Sequence, residues 1–372
     1  MKGLNLMNIP WAKPCFWGDE EKFVANAVRS TWISGGPYVE KLEKDLARYH
    51  GVRFCITTSN GTSALQLAML AIGVGPGDEV IVPGFAFMAS ANMVIGTGAK
   101  PVYADIDPDT WCMDPACVER KITARTRAIV AVHNYGNVCD MGALRRLADR
   151  RKLFLIEDTA EALFSKYRGR FSGTFGDISC FSFQATKTLT TGEGGCVLTS
   201  DRKLFARMQL IRNHGLSQRG RYWHDVLGYN FRLTNIQAAL GCAQFKHRAK
   251  IISSRHKVHA LYRRYLKGED GIRFQCFKPD VRPVVWCVAV EVDPKVFGAN
   301  RDQIMKRLGA FGIETRPGFF PPSAMPLYGA PALPAADHIS ARIISLPSFP
   351  SLTERQIRYV CGQLKKLRKK RA

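Results

Sequence analysis

From residue 52 onward one pattern recurs: a short apolar run, a turn marked by Gly or Pro, then a stretch with helical spacing. The runs Phe54–Thr57, Glu79–Val82, Lys100–Ala104, Ala128–Val132, Leu153–Ile156, Ile178–Phe183 and Cys196–Thr199 predict seven strands. Helices are predicted between several of them, at about 62–73, 88–97, 114–121, 140–151 and 201–212. Parallel neighbours need crossover connections, and helices supply them, so this alternation predicts an α/β domain around a mostly parallel sheet. Near-continuous apolar runs such as Leu153–Ile156 fit strands covered on both faces. The pattern is preceded by helical spacing over residues 19–50, interrupted at Ser34-Gly35-Gly36-Pro37.

At 372 residues the chain exceeds one ordinary domain, and its end departs from the alternation. Thr234 to about Leu266 predicts one or two long helices leading outward. Beyond it come a strand at Arg282–Val292, a helix at Asp302–Gly312 and a last helix at Glu354–Lys370. The expected division is a large α/β domain over residues 1–245 and a smaller α+β domain over 246–372. The proline-rich stretch Phe319–Pro334 is a long loop, and loops of that length in compact proteins are often functional.

Composition narrows the function classes. No continuous apolar stretch opens the chain, so no signal peptide is expected, and no apolar run nears the ~20 residues of a membrane span. Eleven cysteines lie scattered, without a Cys-x-x-Cys pair or a Cys/His cluster at zinc spacing. Reduced thiols in a cytoplasmic protein, and no metal, are the expectation. The net charge of +23 is mostly dispersed as single Lys and Arg, apart from Lys365, Lys366, Arg368, Lys369, Lys370 and Arg371. That run is taken as a solvated helix end and tail. No motif for RNA or DNA accompanies the charge, which leaves attraction of anionic small molecules and a plain contribution to solubility as equal readings.

Three pieces fall at the ends of predicted strands, where open α/β sheets place ligands. Ser59-Asn60-Gly61-Thr62-Ser63-Ala64-Leu65 is a turn feeding a helix N-terminus, suited to a phosphate, although the same residues make an ordinary helix cap. Leu153–Ile156 runs into Glu157-Asp158; an unpaired carboxylate closing a buried strand is costly, and a cationic partner is one remedy, a helix-cap role for Asp158 another. That partner is either a structural salt bridge or a protonated ligand nitrogen. Lys187 follows the strand at 178–183 and precedes Thr188–Gly195, a run of small, polar and glycine residues; a partly desolvated lysine there is primed for Schiff-base chemistry. Each piece has a plain structural reading on its own. Their order is what matters: phosphate turn, acid at a strand end, lysine about thirty residues later.

With these blocks the sequence resembles the DegT/DnrJ/StrS family of sugar aminotransferases, from Phe16 to about residue 365. Further blocks of likeness are Thr31-Trp32-Ile33-Ser34, Gly75–Pro83, Val132-His133-Asn134-Tyr135-Gly136, Gly173–Asp177, Gly228–Asn235 and Gly312–Pro317. The resemblance implies a fold-type-I fold and pyridoxal 5'-phosphate as cofactor, passing through pyridoxamine 5'-phosphate in turnover. It implies that Lys187 holds the cofactor covalently and shuttles protons, and that Asp158 pairs with the ring nitrogen. Gly61, Thr62 and Ser182 then hold the phosphate, Phe87 stacks on the ring with Phe85 as the alternative, and Glu161 lies beside the ring. Asn230 is expected to reach the phosphate of a neighbouring subunit in a homodimer with shared sites. Arg232, Arg316 and the loop Phe319–Tyr328 are the candidates for substrate contact.

The implied reaction moves an amino group from L-glutamate to a nucleotide-linked keto-sugar. Glu157–Ala162, Thr186–Gly195 and Tyr222–Tyr229 are most similar to the members that aminate C4 of GDP-4-keto-6-deoxymannose. The rivals are a UDP- or dTDP-linked 3- or 4-keto sugar and, in another class, a regulatory protein that binds without catalysis. Lysine at 187 argues against the C3-dehydratase relatives, which carry His there. Asn134 stands where Leu is usual and Cys196 where Met is usual, departures that bear on substrate more than on catalysis.

Overall fold

The structure is a computed structural model and describes residues 7–217 and 219–369. Two amphipathic helices open it, α1 (Glu20–Arg29) and α2 (Pro37–His50), with Pro37 in the first turn of α2, where its missing N–H costs nothing. The predicted alternation then appears with boundaries shifted by one or two residues: β1 (Phe54–Thr58), α3 (Gly61–Ala71), β2 (Glu79–Pro83), α4 (Ala89–Gly96), β3 (Lys100–Ala104), α5 (Pro115–Lys121), β4 (Thr126–Val132), α6 (Met141–Arg151) and β5 (Phe154–Asp158). Two short strands, β6 (Lys166–Tyr167) and β7 (Arg170–Phe171), precede β8 (Ile178–Ser182), β9 (Gly195–Thr199) and α7 (Arg202–Arg212).

The seven strands of the large sheet run in the order β1-β9-β8-β5-β4-β2-β3. Contacts from β8 through β5, β4 and β2 to β3 are parallel, while β9 is antiparallel to both β8 and β1. Parallel strands put all their carboxyl ends on one edge, so Val132 and Asp158 stand side by side there, with Ser182 one strand further. Ser182 pairs with Gly195, which makes the segment carrying Lys187 the connection of a β8–β9 hairpin opening over the same edge.

The chain leaves the sheet through α8 (Asn235–Lys246) and α9 (Arg248–Tyr265), a break at His247 in the long helical stretch. The elements that follow are β10 (Ile272–Phe274), β11 (Val281–Arg282), β12 (Ala289–Val292), α10 (Pro294–Phe297), α11 (Arg301–Ala310), β13 (Arg316–Pro317), α12 (Pro334–Ser340), β14 (Ile343–Ser345) and α13 (Glu354–Lys366); a second core gathers Val290, Phe297, Leu308, Ile344 and Val360 from them with Tyr262 of α9, while Val281 of β11 and Ile339 of α12 pack elsewhere. β10, β12, β14 and β13 form a four-stranded sheet. The last helix stops short of the predicted end; Lys365 and Arg368 pair with Glu269 at 2.6 and 2.7 Å, and Lys370 and Arg371 lie outside the described residues. Among the described residues no helix is long and apolar enough to cross a membrane.

The predicted single strand Arg282–Val292 is not continuous. β11 pairs with β6, the chain then runs irregularly, and only β12 joins the four-stranded sheet. Pro283 has no N–H for a ladder, and the backbone of Val284 and Val285 passes so close to Gly136 that a Cβ there would lie 2.5 Å from the Val284 carbonyl oxygen. Gly136 has φ +101, so glycine is required on both counts. The detour carries Trp286 to the mouth of the Lys187 hairpin, where its indole N–H donates to the Thr186 carbonyl at 2.7 Å.

Glu157 pins the sheet from below. Its fully buried carboxylate accepts from the amides of Gly173, Phe175 and Gly176 at 2.6–2.8 Å, and from His133 at 3.0 Å. Burial works to raise its pKa, but His133 and the backbone amides outweigh it and hold the group below its ordinary value. A carboxyl with a lowered folded pKa stabilises above its unfolded value and loses that contribution as pH falls through the folded one. Glu157→Leu, which orphans these donors, is expected to cost roughly 3–5 kcal/mol in urea unfolding at pH 7, with the difference from wild type narrowing below the ordinary glutamate pKa.

Candidate active site

A cavity of about 710 Å³ opens at the carboxyl edge of the sheet. Its floor is made by the three sequence pieces. Asn60 caps α3, its side-chain oxygen accepting from the Ser63 amide at 2.8 Å. The amides of Gly61 and Thr62, in the first turn, have no helix carbonyl to serve them and carry the positive end of the helix dipole. A Cβ on Gly61 would lie 2.8 Å from the Ser182 Cβ, so glycine is what lets the α3 turn close onto the end of β8. Gly61, Thr62 and Ser182 all line the cavity.

Successive strand residues face opposite sides, so Asp158 points away from the Glu157 network and into the cavity. It is buried, and among the described residues its carboxylate accepts one hydrogen bond, from the Ala160 amide at 3.1 Å. Burial raises its pKa, with the Ala160 amide and the Lys187 charge acting against that rise. Glu161 is also buried; it accepts from the Tyr135 amide at 2.9 Å and faces the Lys187 Nζ at 3.3 Å. Burial raises the Glu161 carboxyl too, opposed by Lys187. The Lys187 ammonium further lies 3.9 Å from the centre of the Trp286 ring, a cation–π contact. Here two carboxyls and one amine converge beside a phosphate-sized turn.

Aromatic rings wall the cavity. Tyr135 stacks on Phe319 at 5.4 Å and on Trp286 at 6.3 Å, and holds φ +58, a strained value for a tyrosine. Phe87 is exposed, lines the cavity and meets Phe319 edge-on at 6.3 Å, whereas Phe85 is fully buried behind it. Arg316 lies at the rim, bonded to Glu314 at 2.5 Å, and the loop contributes Phe319, Phe320, Met325 and Tyr328.

The arrangement therefore gathers Gly61, Thr62, Phe87, Asp158, Glu161, Ser182, Lys187 and Arg316 at one cavity. Asn230 and Arg232 do not join it. They sit on an exposed segment after α7, where Arg232 bonds to the Asn213 side chain and Tyr229 stacks on Phe231. Asn134 lies behind the cavity, its amide donating to the carbonyls of Phe85 and Trp111 at 2.7 and 2.8 Å. Trp11 and Trp286 line the site and were not legible in the sequence, because no motif or spacing marks either one. Among the described residues no group of His, Cys, Asp and Glu is placed to hold a metal ion.

These features fit a flat, phosphate-bearing ring with a basic nitrogen: an under-bonded buried carboxylate, an amine whose charge acts on it and a cradle that a Cβ at Gly61 would fill. A family model for the DegT/DnrJ/EryC1/StrS aminotransferases matches residues 15–365. The chain is 42% identical over 359 residues to the GDP-perosamine synthase of Escherichia coli O157:H7, covering 96% of this chain and 97% of the other. The same identity holds over 368 residues to the GDP-perosamine synthase of Caulobacter vibrioides, covering 97% and 98%. A sugar aminotransferase from Streptococcus pneumoniae, solved in its PLP form, superposes with a TM-score of 0.92 at 27% identity, over 97% of this chain and 98% of that one.

Asp158 has a folded pKa above its ordinary value, so in the cofactor-free protein its contribution favours folding below the unfolded pKa and turns unfavourable as pH rises through the folded one. Cofactor-free Asp158→Asn is accordingly expected to melt above wild type at pH 7. Calorimetry at pH 7 and at pH 4 checks this: the gap shrinks at the lower pH.

Proposed function

The chain belongs to the DegT/DnrJ/EryC1/StrS aminotransferase family and is a pyridoxal-phosphate-dependent enzyme, and from that premise we propose that it moves an amino group from L-glutamate to C4 of GDP-4-keto-6-deoxymannose, giving GDP-perosamine. The likeness to two perosamine synthases along nearly the whole chain is the observation that carries the choice of sugar.

When bound, pyridoxal phosphate supplies the electron sink that lets a proton leave the amino-bearing carbon. The residues of this chain do the rest. Lys187 Nζ is the point of covalent attachment, and once released it takes the proton from the α-carbon of glutamate and, in the second half of the cycle, delivers one to C4 of the sugar. Asp158 keeps the ring nitrogen protonated, since a buried carboxylate with one hydrogen bond gains most from a cation. Glu161 holds the lysine amine in line between its two tasks. The first-turn amides of Gly61 and Thr62, with the Ser182 hydroxyl, bind the phosphate. Phe87 covers a face of the ring, and Arg316 at the rim contacts the substrate.

Asn230 and Arg232, remote from their own cavity, serve the cavity of a second copy in a cytoplasmic homodimer: Asn230 at the phosphate, Arg232 near the sugar nucleotide. In this division residues 1–245 carry the cofactor and 246–372 bring Trp286 and Arg316 across it.

Purified protein incubated with glutamate and GDP-4-keto-6-deoxymannose should yield a product whose mass is that of the 4-amino sugar nucleotide. Lys187→Ala should lose the visible absorbance of lysine-bound cofactor and at least roughly 10²–10⁴-fold in rate. Amination of a UDP- or dTDP-linked sugar alone would overturn the choice of sugar, and retained absorbance in the variant would overturn the assignment of Lys187.

A further inference from the structure

Trp286 enters the cavity from outside the large sheet and is fixed there by several independent contacts. Its indole N–H donates to the carbonyl of Thr186, the residue before Lys187, at 2.7 Å. Its own carbonyl accepts from the Arg255 guanidinium. Trp11 meets the ring edge-on, with centroids 5.8 Å apart and planes at 86°, and Tyr135 stacks beside it at 6.3 Å. Trp286 is 5% exposed. A ring packed in this way does not follow a flexible lysine side chain, so it marks a constant point in the cavity. The Lys187 Nζ lies 3.9 Å from the centre of that ring and 3.3 Å from a carboxylate oxygen of Glu161.

The two neighbours of the amine treat its charge differently. A carboxylate attracts an ammonium but can also take its proton, and burial raises the affinity of Glu161 for one. The face of an indole attracts the cation through the ring quadrupole and has no lone pair with which to receive a proton. This difference matters in the glutamate half of the cycle. The C–H bond at the α-carbon breaks, its electron pair passes to the cofactor, and its proton forms an N–H bond on Lys187 Nζ, which becomes an ammonium. The ammonium then gives that proton up to the cofactor. Between the two transfers a positive charge has to be held in a desolvated space without its proton being lost to a neighbour. The geometry points to Trp286 as a positioning residue for Lys187: the face of its ring is the berth in which the amine waits as an ammonium between the two transfers. This role presupposes the proton shuttle proposed above for Lys187. Because the N–H of the same indole anchors the Thr186 carbonyl, the berth and the hairpin that carries the amine keep one spacing.

The test compares full-length wild type with Trp286→Phe, which keeps a ring and loses the N–H, and Trp286→Leu, which loses both. Holoenzyme is mixed with excess L-glutamate, and the decay of the absorbance of lysine-bound cofactor is followed over a single turnover. Trp286→Leu should slow that decay by roughly tenfold, and Trp286→Phe by no more than about threefold. The half-saturating glutamate concentration should stay within about twofold, and α-deuterated glutamate should slow Trp286→Leu at least as much as wild type. Equal losses in the two variants would mean that only the bond to Thr186 matters, and a raised glutamate requirement at an unchanged limiting rate would make Trp286 a substrate wall; either result sinks the berth. Should Trp286→Leu not fold, a roughly tenfold loss in Trp286→Phe alone has the same force. Crystals of the cofactor-free proteins give a reading independent of turnover: the Lys187 amine should lie over the ring in wild type and spread over several rotamers in Trp286→Leu, whereas an amine still fixed against Glu161 in that variant overturns the role. The absorbance before glutamate is added checks the shuttle assignment separately. Its absence from wild type would remove Lys187 and the berth together, while a full band with unchanged rates removes the berth alone.

Discussion

Neighbouring side chains on a strand point to opposite faces of the sheet, and at the end of β5 this alternation separates two carboxylates with opposite fates. Glu157 turns toward the Gly173–Ser179 segment and is saturated by three amides and a histidine. Asp158 turns into the cavity and keeps one amide. Both are buried, yet one is stabilised as an anion and the other is pushed toward its neutral form. The first holds β8 against β5 and thereby fixes where Ser182 and the hairpin begin. The second stays short of partners, which is the condition for binding a cation well. One dipeptide thus divides the work of holding the fold and of holding a ligand.

The hairpin that carries Lys187 is fixed from outside the large sheet. Trp286 reaches it because Pro283 ends the ladder and Gly136 permits the backbone of residues 284–285 to cross at close range. Its indole then bonds the Thr186 carbonyl while its ring faces the Lys187 ammonium. Arg255, from the first turns of α9, bonds the carbonyls of Lys187 and Trp286 together. An irregular segment at a sheet edge is easily mistaken for a lapse in the pattern. Here it places an aromatic ring beside the reactive amine.

What was legible in the sequence follows from which signals are local. Strand and helix boundaries of residues 52–212 came through because each apolar run is bounded by its own turn residues, and the site turn at Ser59–Leu65 because its glycine and hydroxyls sit together. The break at Pro283 was missed because the run Val284–Val292 is apolar at every position but Glu291, and apolarity alone does not tell a strand from a buried irregular segment. Trp11, Trp286 and Arg255 were invisible for another reason. Each acts through partners tens to hundreds of residues away, and nothing in the surrounding sequence marks a tryptophan or an arginine as buried at a distant hairpin. Asn134 was noted as unusual, but only its two hydrogen bonds, to the carbonyls of Phe85 and Trp111, show it to be a clip between loops and not a cavity residue.

The charge of the chain and the charge of its site run in opposite senses. The whole chain carries a net +23, yet the floor of the cavity sets Asp158 and Glu161 against the single amine of Lys187. Burial raises both carboxyls, and in each the Lys187 charge works against that rise. A ligand with a protonated ring nitrogen would supply the cation that the Asp158 carboxylate lacks, while its phosphate would meet the positive end of α3.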